Sequence, residues 1–166
     1  VLFQGGALFD SFTVEENIMF PLNMFTKQSY EEKLERVNAV LSHVNLTNAN
    51  SKYPAELSGG MIKRVAIARA IAMNPKYLFC DEPNSGLDPK TAEVIDELIS
   101  ELTHKFNMTT VINTHDMNSV LQIGQKIAFI NKGELWWEGD NKEILKADNK
   151  ELNDFVFSTE LTRRIK

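Results

Sequence analysis

Hydrophobic positions between Tyr30 and Val44 recur at helical spacing. Tyr30, Leu34, Val37, Leu41 and Val44 form one row, and Glu31, Glu32, Lys33, Glu35 and Arg36 fill the opposite side. The first third of the chain therefore reads as largely helical after its opening residues. A polar, turn-rich connection, Thr47-Asn48-Ala49-Asn50-Ser51-Lys52, closes at Pro54. The next run, LSGGMIKRVAIARAIAMNP, predicts a helix that begins at the glycines, continues through Val65, Ala68, Ile71 and Ala72, and stops at Asn74-Pro75.

The pattern then shifts to alternating strands and helices. Tyr77 to Asp81 is a short apolar run ending in an acid, and reads as a buried strand. Asp88-Pro89 is an N-cap followed by proline at the first helical position, and the helix behind it carries Val94, Ile95, Leu98, Ile99 and Leu102 on one face. Thr109 to Asn113 is a β-branched strand, and Asp116 to Ile123 a short helix with Gly124 as its C-cap. Lys126–Ile130 and Glu134–Glu138 form a hairpin around Lys132-Gly133, and two further helical pieces finish the chain. Strands alternating with helices predict an α/β core with a mostly parallel sheet, into which the helical first third is inserted.

Composition narrows the function classes. At 166 residues the prior is one domain with a substantial core. The net charge of −5 gives no sign of a nucleic-acid partner; the one concentrated basic stretch is Arg163-Arg164 with Lys166. Cys80 is the single cysteine, so no intrachain disulfide can form and a reducing compartment fits. No apolar run reaches the length of a membrane-spanning helix, so a membrane role would come through a partner.

Four constellations carry candidate chemistry. In Leu57-Ser58-Gly59-Gly60-Met61, a serine at a helix start is followed by two residues without side chains, which leaves N–H groups open to an anion at the positive end of the helix dipole. Taken alone, this is more often an ordinary N-cap and glycine turn. In Tyr77-Leu78-Phe79-Cys80-Asp81-Glu82-Pro83, Asp81 can hold a hydrated Mg²⁺ at a strand end and Glu82 can polarise an attacking water. Adjacent acids also occur innocently at solvent edges. Ser85-Gly86-Leu87-Asp88 alone reads as a turn and helix cap, and His115 ends a strand where α/β sheets place ligand groups. A lone histidine there is still more often structural than catalytic.

In this order the four segments resemble an ABC-type ATP-binding domain over nearly the whole chain. The resemblance implies a P-loop NTPase-type core, incomplete here, with an inserted helical subdomain: residues 1–9 as the end of the Q-loop strand, 10–75 as the helical subdomain, and 76–166 as the core. It implies ATP and Mg²⁺ as cofactors and a head-to-tail dimer with a second ATP-binding subunit. Ser58, Gly59 and Gly60 would contact the γ-phosphate held by the opposite subunit, and Asp81 would support Mg²⁺. Glu82 would be the general base, Asp88 would communicate across the dimer, and His115 would sense the γ-phosphate. Gln4 would reach Mg²⁺ and the attacking water. The segment near residues 7–25 would dock an integral-membrane permease, placing the protein in the cytoplasm on the inner face of the membrane. The nucleic-acid class of ABC ATPase is disfavoured, because only one helix separates LSGG from the acids.

The opening Val1-Leu2-Phe3-Gln4-Gly5 also matches a viral-protease tag site. Its continuation through Ala7-Leu8-Phe9 and Thr13-Val14-Glu15-Glu16-Asn17 favours a native Q-loop instead. FQGGALFDSFTVEEN together with LSGGM resembles the maintenance-of-lipid-asymmetry group and implies phospholipid trafficking at the bacterial envelope. The alternatives are another ABC importer of an amino acid or metal ion, or a lipoprotein extractor; a natural non-catalytic relative would not need Glu82 and His115. The 166 residues contain no G-x-x-x-x-G-K-[ST] loop and no upstream aromatic to stack on adenine. The expectation is therefore the C-terminal two-thirds of a domain, binding ATP weakly or not at all by itself.

Overall fold

The computed structural model describes residues 1–156; the basic stretch Arg163 to Lys166 lies outside them. The chain forms two compact units, Val1–Asn113 and a second that begins at Thr114. The first contains helices α1 (Val14–Phe25), α2 (Tyr30–His43) and α3 (Gly59–Ile71), strand β1 (Tyr77–Asp81), helix α4 (Pro89–Lys105) and strand β2 (Thr109–Asn113). The second contains α5 (Met117–Ile123), the strands β3 (Ile127–Asn131) and β4 (Glu134–Gly139), and α6 (Lys150–Val156).

Helix starts follow local capping chemistry. Thr13 and Ser29 each accept the N–H of a glutamate three residues on, and that glutamate's carboxylate accepts the N–H of the cap, a reciprocal pair that satisfies two orphan donors. Ser58 and Asp88 cap α3 and α4 through their side-chain oxygens. The end of α3 is satisfied from a distance: the Arg36 guanidinium donates to the carbonyls of Ala72 and Ile71 at 2.8 and 2.9 Å and to the Asn74 side chain. Asn74 itself sits at φ +48°, a left-handed conformation that asparagine tolerates and that cannot continue a helix.

β1 and β2 pair in parallel, with Tyr77 opposite Thr109 and Asp81 opposite Asn113. The opening residues add a bridge on the other side of β1: the Leu2 N–H donates to the Phe79 carbonyl at 2.7 Å, and the Asp81 N–H donates to the Leu2 carbonyl at 2.9 Å. This parallel sheet is partial. The strand pleat sends Leu78 and Cys80 into the core, while Tyr77 and Phe79 stay 64% and 50% exposed. The reading of β1 as a fully buried strand therefore holds for one face only. Burial pushes the Cys80 thiol up to about 12, which leaves it an inert filler.

α3 packs against α1, α2 and α4, and its Val65, Ala66, Ile67, Ala68 and Ile71 join Leu2, Leu78, Ile95 and Ile99 in one core. On α4 the buried face differs from the predicted one. Val94 is exposed, and Ala92 and Asp96 take buried positions instead. Tyr30 is likewise exposed at the start of α2.

In the second unit, β3 and β4 form an antiparallel hairpin whose two-residue loop, Lys132-Gly133, has positive φ at both positions. Both residues lie in the region a primed hairpin turn requires, and Gly133 takes it without strain. Met117, Ile144, Leu152 and Val156 make this unit's core. Gly124 follows α5 as the predicted C-cap, but at φ −68° rather than left-handed. A Cβ there would lie 2.4 Å from the Val120 carbonyl oxygen, so close approach is what selects glycine. Among the described residues, no helix is long and apolar enough to cross a membrane.

Candidate functional site

The acids stand where β1 ends. Asp81 is exposed, and its carboxylate accepts a 2.7 Å hydrogen bond from the Asn113 side-chain amide, the residue opposite it in the register. Glu82 is half-buried and turns sharply at φ +45°. Left-handed backbone at a non-glycine residue costs roughly 1 kcal/mol or more and persists only where its surroundings hold it. The surroundings are visible: the Glu82 N–H donates to the Asn113 carbonyl at 2.9 Å, and the Glu82 carbonyl accepts from the Ser85 N–H at 3.2 Å.

Gln4 lies two residues beyond Leu2, past the bridge to β1, and its side-chain amide donates to the Ser85 hydroxyl at 3.2 Å. A tight turn follows, with the Gly6 N–H donating to the Phe3 carbonyl and positive φ at Gly6 and Ala7. Arg69 of α3 fastens this turn by donating to the Gly6 and Ala7 carbonyls, while its guanidinium sits 5.9 Å from the Phe9 ring centre. Lys63, one α3 turn past Gly59, reaches the Gln4 and Glu82 carbonyls.

The start of α3 adjoins the start of α4. Ser58 accepts the Met61 N–H at 3.3 Å and so caps the helix. Gly59 faces Leu87, and a Cβ on Gly60 would fall 2.8 Å from the Thr91 methyl. Asp88 accepts from the Thr91 N–H at 3.1 Å and from its hydroxyl at 2.5 Å. The Thr91 hydroxyl is the largest influence holding the Asp88 carboxyl below its ordinary range. Behind this turn, Asn84 is buried and donates to the Asp96 carboxylate at 3.2 Å.

Gly60 thus has a reason within the chain, independent of any anion. Gly60→Ala should destabilise the first unit by about 1 kcal/mol, an overpacking cost partly offset by the better helix propensity of alanine. Adding Thr91→Ser, which removes the methyl and keeps the hydroxyl on Asp88, should recover most of that loss in denaturant titrations. Equal losses with and without Thr91→Ser would rule out the contact as the cause.

Of the predicted site residues, Gln4, Ser58, Gly59, Gly60, Asp81, Glu82 and Asp88 lie in the first unit and are linked by these contacts. His115 belongs to the second unit, exposed in the segment between β2 and α5, where the neighbouring Asp116 caps α5. Sequence reasoning missed Lys63 and Asn113, and read Ser85 only as part of the turn before Asp88. The available signal for Lys63 was a lysine four and eight residues before Ile67 and Ile71, in the row that α3 buries. For a cation the donor set is modest: among the described residues, no three His, Cys, Asp or Glu side chains gather into a metal cage. A hydrated Mg²⁺ needs only one or two carboxylates beside its waters and substrate phosphates, and Asp81 offers one, exposed and oriented.

This arrangement, acids at the end of a parallel strand beside a glycine-started helix, belongs to an ATP-binding cassette of the P-loop NTPase fold. The ABC transporter family model matches residues 1–85, and the chain is a member of that family. The methionine import ATP-binding protein MetN of Protochlamydia amoebophila is 44% identical over 87% of this chain and 42% of that protein. MetN of Bacillus subtilis is 38% identical over 92% of this chain and 44% of the relative. The chain spans about half the length of the curated relatives it matches.

Among solved structures, a dimeric ATP-binding cassette in a post-hydrolysis state with ADP and Pi shares 35% identity at a TM-score of 0.74, covering 84% of this chain and 61% of the other. CbiO1 of Clostridium perfringens, part of the ABC transporter complex CbiONQ, shares 27% identity at a TM-score of 0.81 over 99% of this chain and 65% of the other. The relatives' names fit the amino-acid importer given above as an alternative better than phospholipid trafficking.

Proposed function

We propose that this chain is the signature- and acid-bearing part of the ATP-hydrolysing subunit of an ABC importer for an amino acid, with methionine or a close thioether analogue as cargo. The observation that carries the ATPase reading is the convergence of Gln4, Asp81 and Glu82 at one end of the parallel sheet. The cargo rests on relatives between 38% and 44% identical that are named for methionine import.

In this reading Asp81, oriented by Asn113, holds hydrated Mg²⁺, which supplies charge neutralisation on the phosphates when bound. Glu82 accepts the proton of the attacking water, and the Gln4 side chain borders the same space. Ser58 and the N–H groups of Gly59 and Gly60 face the γ-phosphate bound to a second copy, arranged head to tail. There the α3 dipole and glycines without side chains suit an oxyanion. Asp88 lies on that dimer face, and His115 senses the γ-phosphate. The regions 1–9, 10–75 and 76–166 act as Q-loop end, helical subdomain and core.

The segment near residues 7–25 docks the permease and keeps the protein at the cytoplasmic face of the membrane. There Phe9 and Phe20, both partly exposed, stack with Phe12 at ring separations of 4.8 to 6.4 Å. The test is the ATPase rate of the complete protein with its permease in lipid. L-methionine should change that rate severalfold and other amino acids should not. A rate that answers only to phospholipid composition would return the cargo to the lipid-trafficking reading.

A further inference from the structure

Lys63 is a cation in the interior. It is 5% exposed on α3, surrounded in sequence by residues that this helix buries. An ammonium taken out of water is costly unless its protons find acceptors. Here burial pulls its pKa down, while the nearby Glu82 carboxylate works in the opposite direction.

Its acceptors are main-chain oxygens of two candidate catalytic residues. Nζ donates to the Gln4 carbonyl, 59 residues earlier in the chain, and lies 3.5 Å from the Glu82 carbonyl, 19 residues later. The Glu82 carbonyl also accepts from the Ser85 N–H, and the Ser85 hydroxyl accepts from the Gln4 side-chain amide. These contacts close a ring: Gln4 carbonyl, Lys63, Glu82 carbonyl, Ser85, Gln4 amide. Glu82 takes its left-handed backbone inside this ring. The strained residue is thus held at its N–H by β2 and at its carbonyl by Lys63 and Ser85.

We propose that Lys63 is a positioning residue for hydrolysis, which clamps the main chain of Gln4 and Glu82 to the signature helix α3 and so fixes their side chains relative to each other. The inference rests on the reading of Glu82 as the base and adds to it. The Lys63 ammonium is held on the main-chain carbonyls of those two residues and acts through them. Because Lys63 and Ser58 sit on the same helix, a shift of α3 would move the clamp together with the glycines that serve the opposite subunit.

The experiment uses the complete protein with its permease and compares Lys63→Met, Lys63→Arg and Glu82→Gln. Lys63→Met fills the same space without a donor. It should lower kcat about 10- to 100-fold, the scale of a small misplacement of catalytic groups, while KM for ATP changes less than about threefold. Lys63→Arg restores charge and donors and should recover most of kcat. In the Glu82→Gln background, Lys63→Met should cost much less than in the wild type, since the part of its effect that runs through the Glu82 carboxylate is already lost and only the part through Gln4 remains.

If Lys63→Met does not yield folded protein, Lys63→Gln, with a neutral and weaker donor, is read in the same way. Wild-type kcat in the neutral variants beside an inactive Glu82→Gln would overturn the clamp and leave the ATPase reading standing. Independent, additive losses in the double variant would also overturn it. Wild-type hydrolysis by Glu82→Gln would overturn the reading of Glu82 itself, and the clamp with it.

Discussion

Replacing Glu82 with glutamine in the complete protein should reduce ATP hydrolysis by a factor of about 100 or more, the usual worth of a general base. ATP should stay bound in a stabilised dimer. Glutamine has the size of glutamate but cannot take a proton at neutral pH, so the water loses its base. The backbone holding position 82 is untouched: its N–H still meets the Asn113 carbonyl, and its carbonyl still accepts from Ser85 and faces Lys63. Asp81 and its bond from Asn113 are separate from the change, so Mg²⁺ and nucleotide binding should persist. Phosphate release together with nucleotide retained after gel filtration checks this. An unchanged hydrolysis rate would show that Glu82 is not the base.

The second large effect concerns a residue with no catalytic part. Asn17 is completely buried in α1. Its amide nitrogen donates to the carbonyls of Phe9, Phe12 and Thr13 at 3.0 to 3.2 Å, and its amide oxygen accepts the Phe9 N–H at 2.8 Å. One side chain therefore meets four backbone groups of the segment between the opening turn and α1. Asn17→Leu keeps the volume and removes all four bonds; the Phe9 and Thr13 carbonyls keep the Phe12 and Asn17 N–H groups, while the part-buried Phe9 N–H and Phe12 carbonyl lose this partner at roughly 1–3 kcal/mol each. Partial access of water to the loop reduces the total, so a loss on the order of 3 kcal/mol is expected in urea titrations. A loss under about 0.5 kcal/mol, the scale of an ordinary surface substitution, would show that the loop finds other partners.

Much of the fold was legible because its signals are local. Capping residues at 58, 88 and 116, the proline at 89 and the Lys132-Gly133 hairpin each act within a few residues. The strand carrying Asp81 and Glu82 was equally plain. What escaped was decided at long range. An apolar run does not reveal which pleat face the rest of the chain covers, so Tyr77 and Phe79 were expected inside and lie outside. On α4 Val94 lies outside while Asp96 lies inside, where Asn84, twelve residues away in sequence, donates to its carboxylate.

The site divides along the same line. Gln4, Asp81 and Glu82 stood out by type and order, while Asn113 and Lys63 matter through partners 32 and 59 residues distant. Asn17 reads as part of a docking segment, yet its side chain is spent on its own loop. Cargo was the least legible of all, because the residues quoted for it lie in the shared ATPase rather than in whatever binds the transported molecule.

The most direct measurement is uptake of labelled L-methionine into proteoliposomes that hold the complete protein with its permease, with ATP on the side of the ATPase. Uptake should require ATP hydrolysis, be lost with Glu82→Gln, and be competed by methionine analogues but not by other amino acids. Hydrolysis without methionine uptake, accompanied by phospholipid that copurifies and moves between membranes on ATP addition, would contradict the importer reading.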